Sequence, residues 1–152
     1  MIPLNLGDVA MPAQSPKVLP RYLLDTNIWS ALIRRSSVPL LERFAACTSH
    51  QLLLSPIVWG ELQLGYFKGD MTPKRKQVIV QIASATSALS VDAQVATVYA
   101  QLRAHLEITG TSIGPNDTWI AAEALHHKLI VVTDNVGEFS RVPKLKVENW
   151  LI

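Results

Sequence analysis

The apolar residues of this chain fall into short runs separated by longer stretches of helical periodicity. Tyr22-Leu23-Leu24 is one such run, closed by Asp25, and it predicts a buried strand. A helix from Thr26 to about Arg35 follows, then a second short helix over Leu40 to Cys47. Gln51 to Leu54 predicts another strand. Ser55-Pro56 pairs an N-cap residue with a proline at the first helical position. The helix it opens carries Ile57, Val58, Glu61, Leu62, Leu64 and Gly65 and ends near Gly69. Val78, Ile82 and Ala85 share one face of a helix expected over 74–88, and Leu89-Ser90-Val91 reads as a short strand. Asp92 caps the clearest amphipathic helix, in which Val95, Val98, Tyr99, Leu102 and Leu106 recur at helical spacing. Gly110 stops it, Thr111 to Pro115 form a loop, and a further helix spans about 116–127. Leu129 to Thr133 is a largely β-branched strand, and Lys146 to Glu148 an edge strand. Short apolar strands alternating with helices predict an α/β fold with a mostly parallel sheet and helices on both faces.

Residues 1–20 break this pattern. They hold Pro3, Pro12, Pro16 and Pro20 and show no periodicity, so they read as a flexible N-terminal extension ahead of one domain over 21–152. A chain of 152 residues suits one domain with its own core. Hydrophobic residues make up 49% and charged residues 17%, a balance that leaves apolar surface for a protein partner to cover. The net charge of +2 is too small for a protein that coats nucleic acid, but it allows an enzyme gripping one RNA through a local patch. The single cysteine, Cys47, follows an apolar run and reads as structural, which fits a reducing cytosol. No stretch approaches the ~20 apolar residues of a membrane helix. No signal peptide is legible, so a cytoplasmic location without membrane contact is expected.

The placement of four acids carries the chemistry. Asp25 and Asp134 each follow an apolar strand, where parallel sheets build their sites. Glu61 sits three residues after Val58 and one before Leu62, on the inward face of its helix. Asp117 lies three, four and seven residues before Ile120, Ala121 and Ala124, again on the apolar side. Clustered carboxylates repel one another, and a divalent cation relieves that repulsion. Oxygen ligands without histidine or cysteine favour Mg²⁺, or Mn²⁺, over zinc. Asp25 and Asp117 have an equally simple reading as helix caps, whereas Glu61, mid-helix, has no capping job.

Leu23-Leu24-Asp25-Thr26-Asn27, Gly60-Glu61-Leu62 with Gly65, Asn116-Asp117 with Ile120-Ala121-Ala122, and Val132-Thr133-Asp134-Asn135 with Glu138-Phe139 occur in the order of PIN domains. More narrowly, the chain resembles VapC-type toxins of bacterial toxin–antitoxin pairs, to which the ending Val147-Glu148-Asn149-Trp150 is also similar. The resemblance covers about residues 21–152. It implies a three-layer α/β/α PIN-like fold and a metal-dependent endoribonuclease acting on RNA, with a tRNA-like target among the options. It also implies an antitoxin partner and a homodimer. Asp25, Glu61 and Asp117 match the family's first three acids, which hold Mg²⁺ and position the attacking water. Asn27 and Thr133 match supporting residues. The fourth acid of relatives with Thr-x-Asp falls on Asn135, with Asp134 one residue earlier, so either residue is a candidate supporting ligand. A non-catalytic protein-binding module of the same fold is the alternative.

Other features carry less. His50, His105, His126 and His127 lack paired zinc spacing, and a charged His126 or His127 in the last turn of a helix suits its dipole. The chain holds neither a Walker A motif nor a Gly-x-Gly-x-x-Gly fingerprint. Thr26-Asn27 after Asp25 does not fit the Asp-x-Asp of an aspartate-nucleophile phosphatase. Arg34, Arg35, Lys68, Lys74, Arg75 and Lys76 are candidate phosphate contacts. Trp29, Trp59, Tyr66 and Phe67, on the first and third helices, are core residues or the walls of a groove for a partner's helix.

Overall fold

The computed structural model describes residues 18–152; most of the extension expected over 1–20 lies outside the described residues. The described chain runs β1 (Tyr22–Leu24), α1 (Thr26–Arg34), α2 (Val38–Ala45), β2 (Leu52–Leu54), α3 (Pro56–Phe67), α4 (Pro73–Ala85), β3 (Ser87–Ala88), α5 (Ala93–Ile108), α6 (Pro115–His127), β4 (Ile130–Val132), α7 (Val136–Phe139) and β5 (Lys146–Glu148). All five strands are parallel, in the order β3-β2-β1-β4-β5. From β1 the chain first builds outward through β2 to β3, then returns to the other flank of β1 for β4 and β5. Right-handed crossovers in those two directions lay the helices between β1 and β3 on one face and α5 and α6 on the other.

Local chemistry explains the element ends. Asp25, Ser37, Ser55, Thr72 and Asp92 each cap a helix through a side-chain oxygen. Pro39, Pro56, Pro73 and Pro115 stand in first turns, where no intrahelical N–H bond is lost. Three readings shift. The second helix starts at Val38, because Ser37 accepts from the Leu40 amide. The fourth helix ends at Ala85, where Thr86 turns extended and puts Ser87 and Ala88, not 89–91, opposite Leu53 and Leu54. The short helix α7 has too few residues to show a period, and the sequence did not indicate it.

The core fills both sides of the sheet. Leu23, Leu24, Val131 and Val132 are sealed at its centre, and the Asp25 amide extends the β1–β4 ladder by donating to the Val132 carbonyl at 2.9 Å. Trp29 is fully buried edge-on to Phe44. At the far end, buried Trp150 meets Tyr22 edge-on and donates to Glu148 at 2.7 Å, which pins the chain end to β1. The start of the described chain is tied in by Gln51, which donates to the Pro20 carbonyl, and by Arg21, which donates to the His127 carbonyl. No helix among the described residues is long and apolar enough to cross a membrane.

One ionisable side chain lies fully inside. Glu123 on α6 has no exposed surface; its Oε2 accepts from the Ser55 hydroxyl at 2.5 Å and its Oε1 has no partner. Burial pushes its carboxyl up to about 7, only partly opposed by that hydrogen bond. The folded protein therefore holds this proton more tightly than the unfolded chain does. Its contribution to stability is full below the ordinary glutamate range and is lost as pH rises towards 7, by an amount on the order of 3 kcal/mol. Urea melts of the parent and of Glu123→Gln at pH 5 and pH 8 should show the parent losing ground to the variant at the higher pH. Equal pH slopes for the two proteins would mean that Glu123 is not held protonated.

Candidate active site

The change of direction on either side of β1 makes a topological switch point between β1 and β4, the place where parallel sheets open a crevice at the carboxyl ends of their strands. Asp25 ends β1 there. Its backbone is extended, with φ −67° and ψ 159°, and its Oδ1 accepts from the Thr26 amide at 2.8 Å, capping α1. Its Oδ2 accepts from Thr133 Oγ1 at 2.9 Å, across the crevice from the end of β4. The helix-cap reading of Asp25 and the site reading are thus both true of the same carboxylate, one oxygen each.

The other acids come in from helices. Glu61 on α3 accepts from Thr26 Oγ1 at 2.7 Å through Oε2 and from Asn116 Nδ2 at 3.0 Å through Oε1. Asp117 stands in the first turn of α6, whose N-cap is Gly114, so it is not a cap. A Cβ on Gly114 would lie 3.7 Å from Asp117 Oδ2, so the loop's backbone comes close to the carboxylate. Glu138, on α7, stands within hydrogen-bonding reach of Asp117 and accepts from Asn135 Nδ2 at 2.7 Å.

The electrostatics follow from this crowding. Asp117 is pushed up to about 7, first by burial, then by the charge of Asp25, by contact with Glu138 and by the charge of Glu61. Asp25 is raised as well, chiefly by burial, against the lowering effect of the Thr133 and Thr26 hydrogen bonds. This is a site with more negative charge than its hydrogen-bond donors satisfy. Its donor set is all oxygen, which fits a hard divalent cation. Among the described residues no three acids are drawn into a closed ligand shell, so a cation here would complete its coordination with water.

Asp25, Glu61, Asp117 and Thr133 are brought together. Asn27 and Asp134 stand on the outer rim, where Asn27 Nδ2 approaches Asp134 Oδ1 at 3.4 Å. Asp134 is exposed; Asn135 donates its backbone N–H to Thr133 Oγ1 and its side-chain amide to Glu138. Glu138 was missed as a site residue. The signals in the sequence are the Glu138-Phe139 pair within the PIN resemblance and its position three residues after Asn135, which starts to matter once 136–139 is known to be helical.

Three further readings change. Trp29 is sealed in the core and lines no groove, whereas Phe67 is 77% exposed. An apolar groove of about 480 Å³ instead lies between α1 and α4, floored by Leu32, Ile33 and Val78 and ringed by Arg34, Arg35, Lys74 and Arg75. Lys76 sits over the Tyr66 ring at 5.0 Å, and Lys68 is exposed at the end of α3. Burial pulls His127 down from its ordinary value, and the neighbouring His126 acts in the same direction, against its use as a charged partner of the α6 dipole.

A switch-point crevice lined by acids from β1, α3, α6 and α7 is the layout of an acid-centred nuclease on a parallel sheet. Residues 22–145 match the PIN-domain family model, and the chain belongs to that family. It is 36% identical over 131 residues to the tRNA(fMet)-specific endonuclease VapC of Salmonella typhimurium, covering 86% of this chain and 98% of that one. It is 34% identical over 131 residues to ribonuclease VapC2 of Haemophilus influenzae, with 86% and 98% covered. Its fold is similar to that of DNA-bound VapBC from Salmonella typhimurium, with a TM-score of 0.75, 32% identity and 87% and 99% of the two chains covered. These likenesses, together with the family, make the protein an enzyme of the nuclease class.

Neither candidate next to Thr133 turns its side chain to Asp117: Asn135 is spent on Glu138 and Asp134 faces Asn27, while Glu138 stands beside Asp117. Calorimetric Mg²⁺ titration of Glu138→Gln should show about tenfold weaker binding, with Asp134→Asn close to the parent. Loss of binding in Asp134→Asn, with none in Glu138→Gln, would reverse the assignment.

Proposed function

We propose that the protein is a Mg²⁺-dependent endoribonuclease that hydrolyses RNA phosphodiester bonds, and that it is the toxin of a toxin–antitoxin pair. The observation that carries this reading is the oxygen-only cluster of Asp25, Glu61, Asp117 and Glu138 at the switch point, with Asp117 pushed up to about 7 by neighbours that share its charge. Asp25 and Asp117 would hold the cation, with Glu61 and Glu138 beside it. When bound, such an ion lowers the pKa of water and stabilises charge on a phosphoryl group.

The chain's own residues have separable jobs in this scheme. Thr133 and the Thr26 amide orient the two oxygens of Asp25. Thr26 and Asn116 hold Glu61, so that α1, α3 and α6 fix one carboxylate in place. Asn135 does the same for Glu138. A relative named for cleaving tRNA(fMet) supports a structured RNA as the target class.

The partner reading rests on relatives solved as VapBC complexes and on the groove between α1 and α4. An apolar floor ringed by four cations suits an acidic amphipathic segment of an antitoxin. Exposed Leu64 and Phe67 on α3 offer an apolar patch for a second copy of the chain, as a homodimer requires.

Asp25→Asn should abolish cleavage of RNA in Mg²⁺ while melting with the same cooperativity as the parent, as followed by gel assay and circular dichroism. Full activity in that variant would remove the acid cluster from the mechanism, whereas a parent that itself cuts no RNA in Mg²⁺ would favour a non-catalytic binding module. Separately, Lys74→Glu combined with Arg75→Glu should release a cognate antitoxin in a pull-down at a salt concentration where the parent retains it. Undiminished retention would place the partner elsewhere.

A further inference from the structure

A cavity of about 780 Å³ opens beside the acids rather than among them. Asn27, Ser30 and Arg34 form one wall; their spacing of three and then four residues puts them on a single face of α1. Ser36 and Ser37 stand on the opposite wall, and Asp134 closes the end next to Thr133. The groove thus begins at the rim of the acid centre, since Asn27 is two residues from Asp25 and approaches Asp134 at 3.4 Å. It runs along α1 to Arg34, nine residues from Asp25, or about 13 Å at the rise of an α-helix.

The chemistry of this wall is distinctive. Hydroxyls, an amide, the Arg34 guanidinium and the Asp134 carboxylate supply most of its exposed surface, with Ala31, Val38, Pro39 and Leu151 among them. Ser36 donates back to the Ala31 carbonyl and Ser37 accepts from the Leu40 amide, so both are occupied in holding the α1–α2 turn. Arg34 is exposed and makes no hydrogen bond or ion pair among the described residues. A guanidinium with no carboxylate partner, set at the far end of a polar groove whose near end is acidic, is placed for a ligand whose charge is negative and repeats along its length. Asp134 at the near end repels phosphate, so the contact falls at the Arg34 end.

We propose that this groove carries the RNA strand flanking the bond to be cut, and that Arg34 grips a phosphate of that strand while Ser30 hydrogen-bonds its sugar or phosphate oxygens. This assignment rests on the ribonuclease reading above and deepens it: the substrate is engaged as a single strand lying along α1. It also gives Arg34 two neighbours. The same side chain borders the apolar groove between α1 and α4, so a protein seated there competes with RNA for one cation. The exposed lining of the first groove is mainly polar and that of the second more apolar, which argues for nucleic acid in the first and protein in the second.

The test uses the full chain carrying Asp25→Asn, to block cleavage, and a fluorescein-labelled 12-nucleotide single-stranded RNA of mixed sequence followed by anisotropy across a salt series. Adding Arg34→Ala should weaken binding about tenfold and lower the salt slope by about 0.7, the loss of one phosphate contact on a single strand. Arg34→Lys should restore most of the slope. Lys146→Ala, which removes one charge from the opposite end of the sheet, should change neither affinity nor slope. In the active enzyme, Arg34→Ala should raise KM and leave kcat near the parent value. An unchanged slope in Arg34→Ala, or the same loss in Lys146→Ala, would overturn the groove assignment. So would a variant that loses only its hold on an antitoxin. If the parent cuts RNA while Arg34→Ala behaves like it, the groove alone fails; if the parent neither binds nor cuts RNA in Mg²⁺, the ribonuclease reading fails with it.

Discussion

Asp25 is a nearly buried carboxyl, and two hydrogen bonds oppose the burial that raises its pKa. A carboxylate taken out of water without partners costs several kcal/mol. Here one oxygen is met by the first amide of α1 and the other by the Thr133 hydroxyl. Those two bonds join the end of β1, the start of α1 and the end of β4. They require β1 and β4 to be neighbours, and the Asp25 amide's bond to the Val132 carbonyl sets their register. Thr26, fixed as the first residue of α1, then reaches across to Glu61, and Glu61 reaches Asn116 beside Asp117. One buried carboxyl thus organises contacts among five elements.

The two bonds do not exhaust the negative charge at the site. Glu61, Asp117 and Glu138 crowd the same crevice, and Asp117 is pushed up to about 7 in consequence. A protein that needed only stability would replace such a cluster with apolar residues, since buried charge is poor support for a fold. Its presence next to a core of Leu, Ile and Val marks a place where stability is given up for chemistry. Glu123 shows the contrast: it is an isolated buried acid, bonded to the Ser55 hydroxyl that caps α3, and burial rather than neighbouring acids pushes it up to about 7.

Positive charge is laid out separately. Arg34, Arg35, Lys74 and Arg75 surround the groove between α1 and α4, away from the acids. This separation explains how a chain with a net charge of only +2 presents both an anion-rich centre and a cation-rich flank. Arg34 stands where the polar groove and the apolar groove meet, so the surfaces suited to RNA and to a protein partner share an edge.

Much of this was legible in the sequence, because it depends on local physics. The strand–helix alternation, the caps at Ser55 and Asp92, and the acids placed at strand ends or on apolar helix faces all follow from spacings of two to seven residues. Those signals were enough to name Asp25, Glu61 and Asp117 and to expect a parallel sheet. What the sequence could not supply was pairing over long separations. That Thr133 bonds Asp25, 108 residues away, depends on β1 lying between β2 and β4, and strand order leaves no trace in local periodicity. Glu138 entered the site only because a four-residue helix, too short to show a period, turned it towards Asp117. Trp29 and Phe67 made the same point in reverse: two aromatic residues on apolar helix faces, one sealed and one exposed, were told apart only by what packed against them. Sequence determines which face of an element is apolar; tertiary structure alone decides which of those faces meets the core, the crevice or the solvent, because burial is a property of the neighbours and not of the residue.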